Sequence, residues 1–189
     1  MSESAREREI EAIRRKFDTQ EEVFVASEGE LIPAEQVRKK KKRRGLLRGL
    51  KILPTRWYIQ WYLVRKDRLV AESKVMKLSF PQFKLKRLKG GALAWRGEIV
   101  SNKGNRYDIA LIYPENFPYE PIKAYILFPK LHPDTPHVFA DGSLCLFAPS
   151  DRGWDDSITA ATMAAKVAAW IFAYEYWLEK GVWPGPSAD

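Results

Sequence analysis

Three side chains with nucleophilic or metal-binding chemistry lie close together in the stretch HPDTPHVFADGSLC, residues 132–145. Cys145 is the only cysteine of the chain, and His132 and His137 are its only histidines. A thiolate is a nucleophile and a metal ligand, and imidazole can donate a hydrogen bond, accept a proton or bind a metal. The stretch is therefore a candidate for covalent catalysis or for a metal site.

Each of these chemistries has a competing interpretation. A structural zinc ion usually takes four His or Cys ligands, and this chain offers three in all. A cysteine hydrolase would pair Cys145 with His137, but the two lie in one loop and no third residue that orients the histidine is evident. A lone cysteine is often only a small buried hydrophobe. Against that, Asp141, Gly142 and Ser143 are typical of a turn, and Cys145 follows within the loop, which predicts an exposed thiol.

Short-range turn signals predict an antiparallel meander before this stretch. Apolar residues flank KGG at 89–91 and SNKGN at 101–105, which is typical of two hairpins. The segment YPENFPYEP, which follows, is a rigid connection because proline cannot donate to a sheet ladder. After it, the long irregular segment around Cys145 is unusual in a compact domain unless it has a function. The predicted strands lie near 83–85, 93–100, 107–113 and 124–128.

Helical spacing predicts three helices. Residues 3–17 place apolar side chains at helical intervals. From Arg56 onward Trp57, Trp61 and Val64 follow intervals of four and three, as on one face of a helix, although the aromatic density there also suits a strand. A third helix runs from 158 to 180, with Ser157 as its N-cap and Gly181 as its C-terminal stop. Its apolar run carries Lys166 and Glu175, which favours a helix buried in a core over a membrane span. The prediction is an α+β domain with helices packed on an antiparallel sheet.

The charge is concentrated in one segment. The chain has 32 Lys and Arg against 24 Asp and Glu, and the run RKKKKRRGLLRGLK at 38–51 holds nine basic residues, leaving 23 basic against 24 acidic elsewhere. We therefore predict a charged N-terminal appendage with a basic arm, residues 1–54, and a domain over residues 55–189. The arm is either a solvated segment or a docking site for an acidic partner or nucleic acid. The single cysteine and the absence of a signal-peptide pattern predict a cytoplasmic protein.

Residues 95–185 resemble the ubiquitin-conjugating enzyme family, and in particular its bacterial branch. The proline-rich FPYEP at 117–121 is similar to the family's connection between two strands. TPHVFADGSLCLF at 135–147 is similar to its active-site signature, and Trp154 to the tryptophan that follows the family's cysteine. The long helix ending in YEYWLEKGVWPG is similar to that of bacterial members. The resemblance implies the ubiquitin-conjugating fold, an antiparallel β-meander packed with an N-terminal helix and a long C-terminal helix.

The resemblance also implies a reaction and its residues. Family members carry a protein C-terminus as a thioester on the cysteine, here Cys145, and pass it to an amine. The family's asparagine falls at His137, although His132 with the next two residues looks like the motif at first. His137 would then stabilise the oxyanion or act as a base, or it would only hydrogen-bond the loop. Phe147 stands where relatives often have a polar gate residue. Candidates to orient an acceptor lysine are Asp151, Asp155, Asp156 and Glu175, although most of them are expected to be solvated surface charges.

The resemblance implies protein partners and neither a cofactor nor a metal. The donor would be a ubiquitin-like protein or, in an anti-phage operon, a nucleotidyltransferase that makes cyclic oligonucleotides. An activating enzyme, if present, would use the ATP, because no glycine-rich phosphate loop precedes a helix in this chain. Two non-enzymatic hypotheses stay open: a non-catalytic partner-binding module of the same fold, and nucleic-acid binding through the basic arm.

Overall fold

The structure is a computed structural model that describes residues 3–18, 20–40, 60–147 and 153–184. The basic arm lies almost wholly outside these residues, and so does the predicted domain boundary at residue 54, which stays a prediction. The elements are α1 (Glu3–Asp18), β1 (Glu21–Val25), β2 (Leu31–Pro33), α2 (Ala34–Lys40), α3 (Trp61–Val64), α4 (Lys66–Ser79), β3 (Lys84–Arg87), β4 (Leu93–Val100), β5 (Arg106–Ile112), β6 (Lys123–Phe128) and α5 (Ala160–Lys180).

In the described part of the chain, the strands form one antiparallel sheet in the order β2-β1-β3-β4-β5-β6. The predicted meander is confirmed as β3 to β6. Its two hairpins turn where the sequence indicates, because Gly90, Gly91 and Gly104 adopt positive φ angles that other residues rarely adopt. The α+β class and the ubiquitin-conjugating-like arrangement are confirmed.

The long C-terminal helix covers one face of the sheet together with α4. Side chains of both helices pack against inward-facing sheet residues such as Trp95, Ile109 and Leu111. The helix begins two residues later than predicted, because Thr159 rather than Ser157 accepts the capping hydrogen bond from the N–H of Thr162. It ends at Gly181 as predicted. Among the described residues, no helix has the length and apolar character needed to cross a bilayer.

The predicted helix after Arg56 is broken into two. Helix α3 ends at Arg65, whose φ of −113° and ψ of 62° are not helical, and α4 starts at Lys66. Trp61 is buried as expected, but Val64 is 69% exposed, so the two do not share a buried face. The non-helical backbone of Arg65 interrupts the helical spacing, which explains this error. Trp57 lies outside the described residues.

The N-terminal helix covers the opposite face of the sheet. Ile13 and Phe17 of α1 pack against Ala94, Ala110 and Leu127, which alternate with the residues that face α5. The strand β1 pairs with β3, so part of the N-terminal segment belongs to the sheet. No local pattern predicts this pairing, because it joins residues far apart in the chain. The division of the chain at residue 54 stays a prediction.

Candidate active site

Cys145 follows a tight turn that is tied to the edge of the sheet. The N–H of Phe139 donates to the carbonyl of Ser143 at 2.8 Å, and the N–H of Leu144 donates to the carbonyl of Ala124 in β6, also at 2.8 Å. Leu144 is buried in the core, whereas Cys145 is half-buried, with its Sγ 3.7 Å from the carbonyl oxygen of Phe147. The thiol is therefore presented at the rim of the core instead of being enclosed by it.

The carboxylate of Asp141 holds the turn closed. It accepts hydrogen bonds from the Ser143 N–H at 3.0 Å and the Ser143 hydroxyl at 2.5 Å, and it pairs with Lys123 Nζ at 2.6 Å. Burial raises the pKa of Asp141, but the contacts with Lys123 and Ser143 outweigh it, so the net pKa is below its ordinary value. Asp141 is therefore ionised at neutral pH, and its contacts with Lys123 and Ser143 persist there.

His137 contacts the cysteine through the backbone. Its carbonyl accepts the N–H of Cys145 at 2.9 Å and the indole N–H of Trp170 at 3.2 Å. Its φ of 55° lies in the left-handed region, and its imidazole stacks on Trp183 at a centroid distance of 4.6 Å. The structure therefore brings the two predicted site residues together and fixes the histidine at both its main chain and its ring.

His132 belongs to the packing of the loop. Its N–H donates to the hydroxyl of Tyr174 at 3.1 Å, its Nδ1 accepts from the Asp134 N–H at 3.2 Å, and its ring meets Trp177 edge-on. In the part of the chain that the structure describes, no three His, Cys, Asp or Glu side chains are grouped so that they could hold a metal ion.

The tryptophan after the cysteine joins the proline-rich connection to the cysteine loop. Trp154 donates its indole N–H to the carbonyl of Pro118 at 2.5 Å and lies between the rings of Phe117 and Phe147. The ammonium of Lys166 lies 4.7 Å from the centre of the Phe147 ring, a cation–π contact. The rings of Phe147 and Trp154 thus form an aromatic wall that begins two residues after Cys145, and Lys166 lies against it.

The predicted acidic candidates do not form one site. Glu175 is buried and accepts hydrogen bonds from Asn105 at 2.9 Å and from Tyr107 at 3.0 Å, so it is a structural group rather than the expected surface charge. Asp155 caps the turn at Ser157, Asp156 is exposed, and Asp151 lies outside the described residues.

Sequence reasoning missed a buried carboxylate that joins α4 to the beginning of α5. Glu72 of α4 is fully buried and accepts hydrogen bonds from Arg68 at 2.9 Å, Tyr113 at 2.9 Å and the N–H of Ala160 at 2.8 Å. Arg68 in turn donates to the carbonyls of Asp156 and Ile158. The helical spacing of Glu72 between the apolar Leu69 and Met76 indicates a buried position, although it does not show what the carboxylate binds.

A cavity of about 420 Å³ lies between α1 and the loop that leads to Cys145. Ile10 of α1 and Val138 and Gly142 of the loop all line it. At Gly142, with φ of +79°, a Cβ would lie 3.0 Å from Cδ1 of Ile10, so glycine suits both the turn and the close approach of α1. The helix therefore packs against the turn that presents the cysteine.

Comparison with known proteins gives one family. The family model described as Type II CBASS E2 protein matches residues 72–189, which include β3 to β6, the cysteine loop and α5. The match leaves out α1, β1, β2 and α2. A search of curated proteins finds no match.

Proposed function

The chain belongs to the type II CBASS E2 family, the ubiquitin-conjugating-like proteins of bacterial anti-phage systems, and we propose that it carries a donor protein's C-terminus as a thioester on Cys145. The observation that supports this most is the half-exposed position of the only cysteine, at the end of a hydrogen-bonded turn within the matched range. A conjugating cysteine needs access for two large proteins in succession, which a core position would deny.

The reaction has two transfer steps. Where the system encodes an activating enzyme, the thiolate of Cys145 attacks the acyl carbon of the donor's C-terminus, which that enzyme holds as a thioester. A new C–S bond forms, and the C–S bond to the activating enzyme breaks as its thiol takes up a proton. An acceptor amine then attacks the same carbon. A C–N bond forms, the C–S bond breaks, and the Cys145 thiol is regenerated with a proton from the amine. Both steps pass through a tetrahedral oxyanion.

In this proposal His137 donates a hydrogen bond to that oxyanion. Its carbonyl accepts the N–H of Cys145 and its ring stacks on Trp183, so its main chain and its imidazole are both held before the donor arrives. A donor held in place in advance stabilises the oxyanion without reorganisation during the reaction. The aromatic wall of Phe147 and Trp154, with Lys166 on it, would border the acceptor's approach in place of a polar gate.

The donor is a protein of the same defence system. A nucleotidyltransferase that makes cyclic oligonucleotides and a ubiquitin-like protein are the two classes to distinguish, with an activating enzyme where the system encodes one. The acceptor is a protein amine. We place the reaction in the cytoplasm, where a lone thiol stays reduced.

The test is intact mass spectrometry of the protein co-expressed with its genomic neighbours. Wild type should carry a protein-sized adduct that reductant removes, Cys145→Ser should carry one that resists reductant as an oxyester, and Cys145→Ala should carry none. The matched control is Cys145→Ala with Ala165→Cys, which offers a thiol on the exposed face of α5 and should stay unmodified. The mass of the adduct identifies the donor. Unmodified wild type beside an expressed carrier would refute thioester transfer.

Nucleic-acid binding through the basic arm is a separate candidate, favoured by the nine basic residues at 38–51. Phosphate contacts make such binding strongly salt-dependent. Deleting residues 38–51 should abolish it and leave adduct formation on Cys145 intact. Binding that is indifferent to salt and to the deletion would remove this candidate.

A further inference from the structure

Two indole rings contact His137, one from the middle of α5 and one from the segment that follows the helix. Trp170 donates its N–H to the His137 carbonyl at 3.2 Å, and Trp183 stacks on the imidazole with an interplanar angle of 30°. The two indoles also contact each other, with ring centroids 5.5 Å apart. One indole therefore holds the main chain of His137 and the other holds its ring.

Trp183 reaches His137 because of the way the helix ends. Gly181 adopts a left-handed conformation, φ of 69°, and closes the last turn by donating its N–H to the carbonyl of Trp177. The chain leaves the helix axis there, and two residues later Trp183 packs back on the core beside Trp170. The stacked ring thus belongs to the segment after the helix, and its position depends on that turn.

The contact restrains a residue that would otherwise have freedom. An imidazole on a loop can rotate about two side-chain bonds, and a left-handed backbone persists only where the surroundings hold it. Here the carbonyl accepts two hydrogen bonds, one of them from Cys145, and the ring lies flat against an indole. These contacts select one orientation of the imidazole relative to the cysteine.

From this arrangement we infer that Trp183, supported by Trp170, is a positioning residue that sets the orientation of the imidazole of His137, whose main chain contacts that of Cys145. The inference rests on the proposed thioester transfer. Trp183 acts through His137, so its removal should slow the transfer steps while leaving the fold and the nucleophile in place. A misplaced oxyanion donor loses most of its effect, because such stabilisation requires close geometry.

If Trp183 only packed on the core, Trp183→Phe and Trp183→Leu would discharge the donor at equal rates. Three substitutions separate this packing role from the positioning role. Trp183→Phe keeps a flat ring for stacking, whereas Trp183→Leu keeps apolar volume without a ring. Positioning predicts discharge of the loaded donor to free lysine within about threefold of wild type for Phe and about tenfold slower for Leu. The double variant His137→Ala with Trp183→Leu should be no slower than His137→Ala alone, because the indole acts through that ring.

A second readout needs no donor protein. In NMR spectra the imidazole protons of His137 should be shifted upfield by the Trp183 ring current, less so in Trp183→Phe, and should return to ordinary positions in Trp183→Leu. His132, whose ring meets Trp177 instead, is the internal control and should not move. The thermal unfolding midpoints of Trp183→Phe and Trp183→Leu should be equal, so that a difference in their discharge rates reflects positioning and not stability.

Two results would overturn the inference, and they differ from failure of the proposed function. Normal loading with equal discharge rates for Trp183→Phe and Trp183→Leu would refute positioning alone, as would His137 signals that ignore both substitutions. Absence of any adduct on wild-type Cys145 would refute the proposed function, and with it this role for Trp183.

Discussion

The backbone of His137 restricts which residues can stand beside Cys145. Its φ of 55° lies in a region that asparagine, aspartate and histidine adopt far more readily than other side chains. The related enzymes named above place asparagine there. Both residue types therefore meet the same two demands, a left-handed turn and a side chain that can donate a hydrogen bond.

We expect His137→Asn to preserve transfer and His137→Ala to impair it. An amide can replace imidazole as the oxyanion donor, so the Asn variant should stay within about tenfold of wild type, whereas loss of a donor costs about 10²-fold or more. The measurement is the single-turnover discharge of the Cys145 adduct to free lysine. His132→Ala serves as the control and should leave the rate unchanged. Wild-type discharge by His137→Ala would mean that the histidine only shapes the loop.

The residues of the site were predictable to different degrees. Cys145 and His137 could be found by counting within one motif, because their spacing is local. The roles of Glu72 and Glu175 could not, because the sequence shows a charge but not what a distant segment packs on it. Trp170 and Trp183 were visible as aromatics, yet their contacts with His137 arise only when α5 lies against the loop.

At the scale of elements, Glu72 joins α4 to the beginning of α5. Its carboxylate accepts the N–H of Ala160, one of the unpaired donors at the start of that helix, and binds Arg68 and Tyr113 at the same time. Burial raises the pKa of Glu72, opposed by its bonds to Ala160, Arg68 and Tyr113. Burying the carboxylate costs free energy. Removing it would cost more, because its buried partners would then lose their hydrogen bonds.

Glu72→Ala should destabilise the protein by about 3–5 kcal/mol, the usual cost of breaking a buried ion pair. Glu72→Gln should cost less, because its amide oxygen can still accept from Ala160 or Tyr113. Urea unfolding followed by circular dichroism measures both. Glu179→Ala, which removes an exposed carboxylate of α5 that pairs with Lys103, is the control and should cost about 1 kcal/mol or less. Equal losses for Glu72→Ala and Glu179→Ala would show that the buried network contributes little.

The elements that the sequence predicted are those with local signals. The hairpins β3–β4 and β4–β5 follow from glycine turns between apolar runs, and α5 follows from its length and its stop at Gly181. The strands β1 and β2 are short and lie in a mixed, acidic segment, where only pairing with β3 makes them strands. The break at Arg65 has no proline or glycine to mark it.

At the scale of the whole molecule, Glu175 makes stability depend on pH. Burial raises its pKa, but hydrogen bonds from Asn105, Ser101 and Tyr107 outweigh burial, and the net pKa lies below the ordinary value of 4.5. A carboxyl with a lowered folded-state pKa stabilises the protein above its unfolded pKa. That contribution disappears as the pH falls through the folded pKa.

Glu175→Gln should therefore lower the free energy of unfolding at pH 7, and the difference from wild type should shrink steadily below about pH 4.5, the ordinary value. Urea titrations of both proteins between pH 7 and pH 3 measure this. Tyr107→Phe removes one of the donors and should show a smaller difference that fades in the same range. A difference that is constant over the whole range would show that Glu175 contributes through packing and not through its charge.

The N-terminal helix decides whether the molecule unfolds as one unit. It lies outside the matched range 72–189, yet Phe17 is 1% exposed, packs on the sheet and lies beneath the guanidinium of Arg96. A sixteen-residue helix is marginal alone in water, so α1 depends on this face. If sheet and helix fold together, Phe17→Ala should cost about 3–5 kcal/mol in a single unfolding transition, whereas Arg15→Ala, at an exposed position, should cost almost nothing. The opposite result would be an unfolding transition that Phe17→Ala leaves unchanged, together with protease cleavage of that variant only within α1. It would mean that the helix docks on a domain that folds without it.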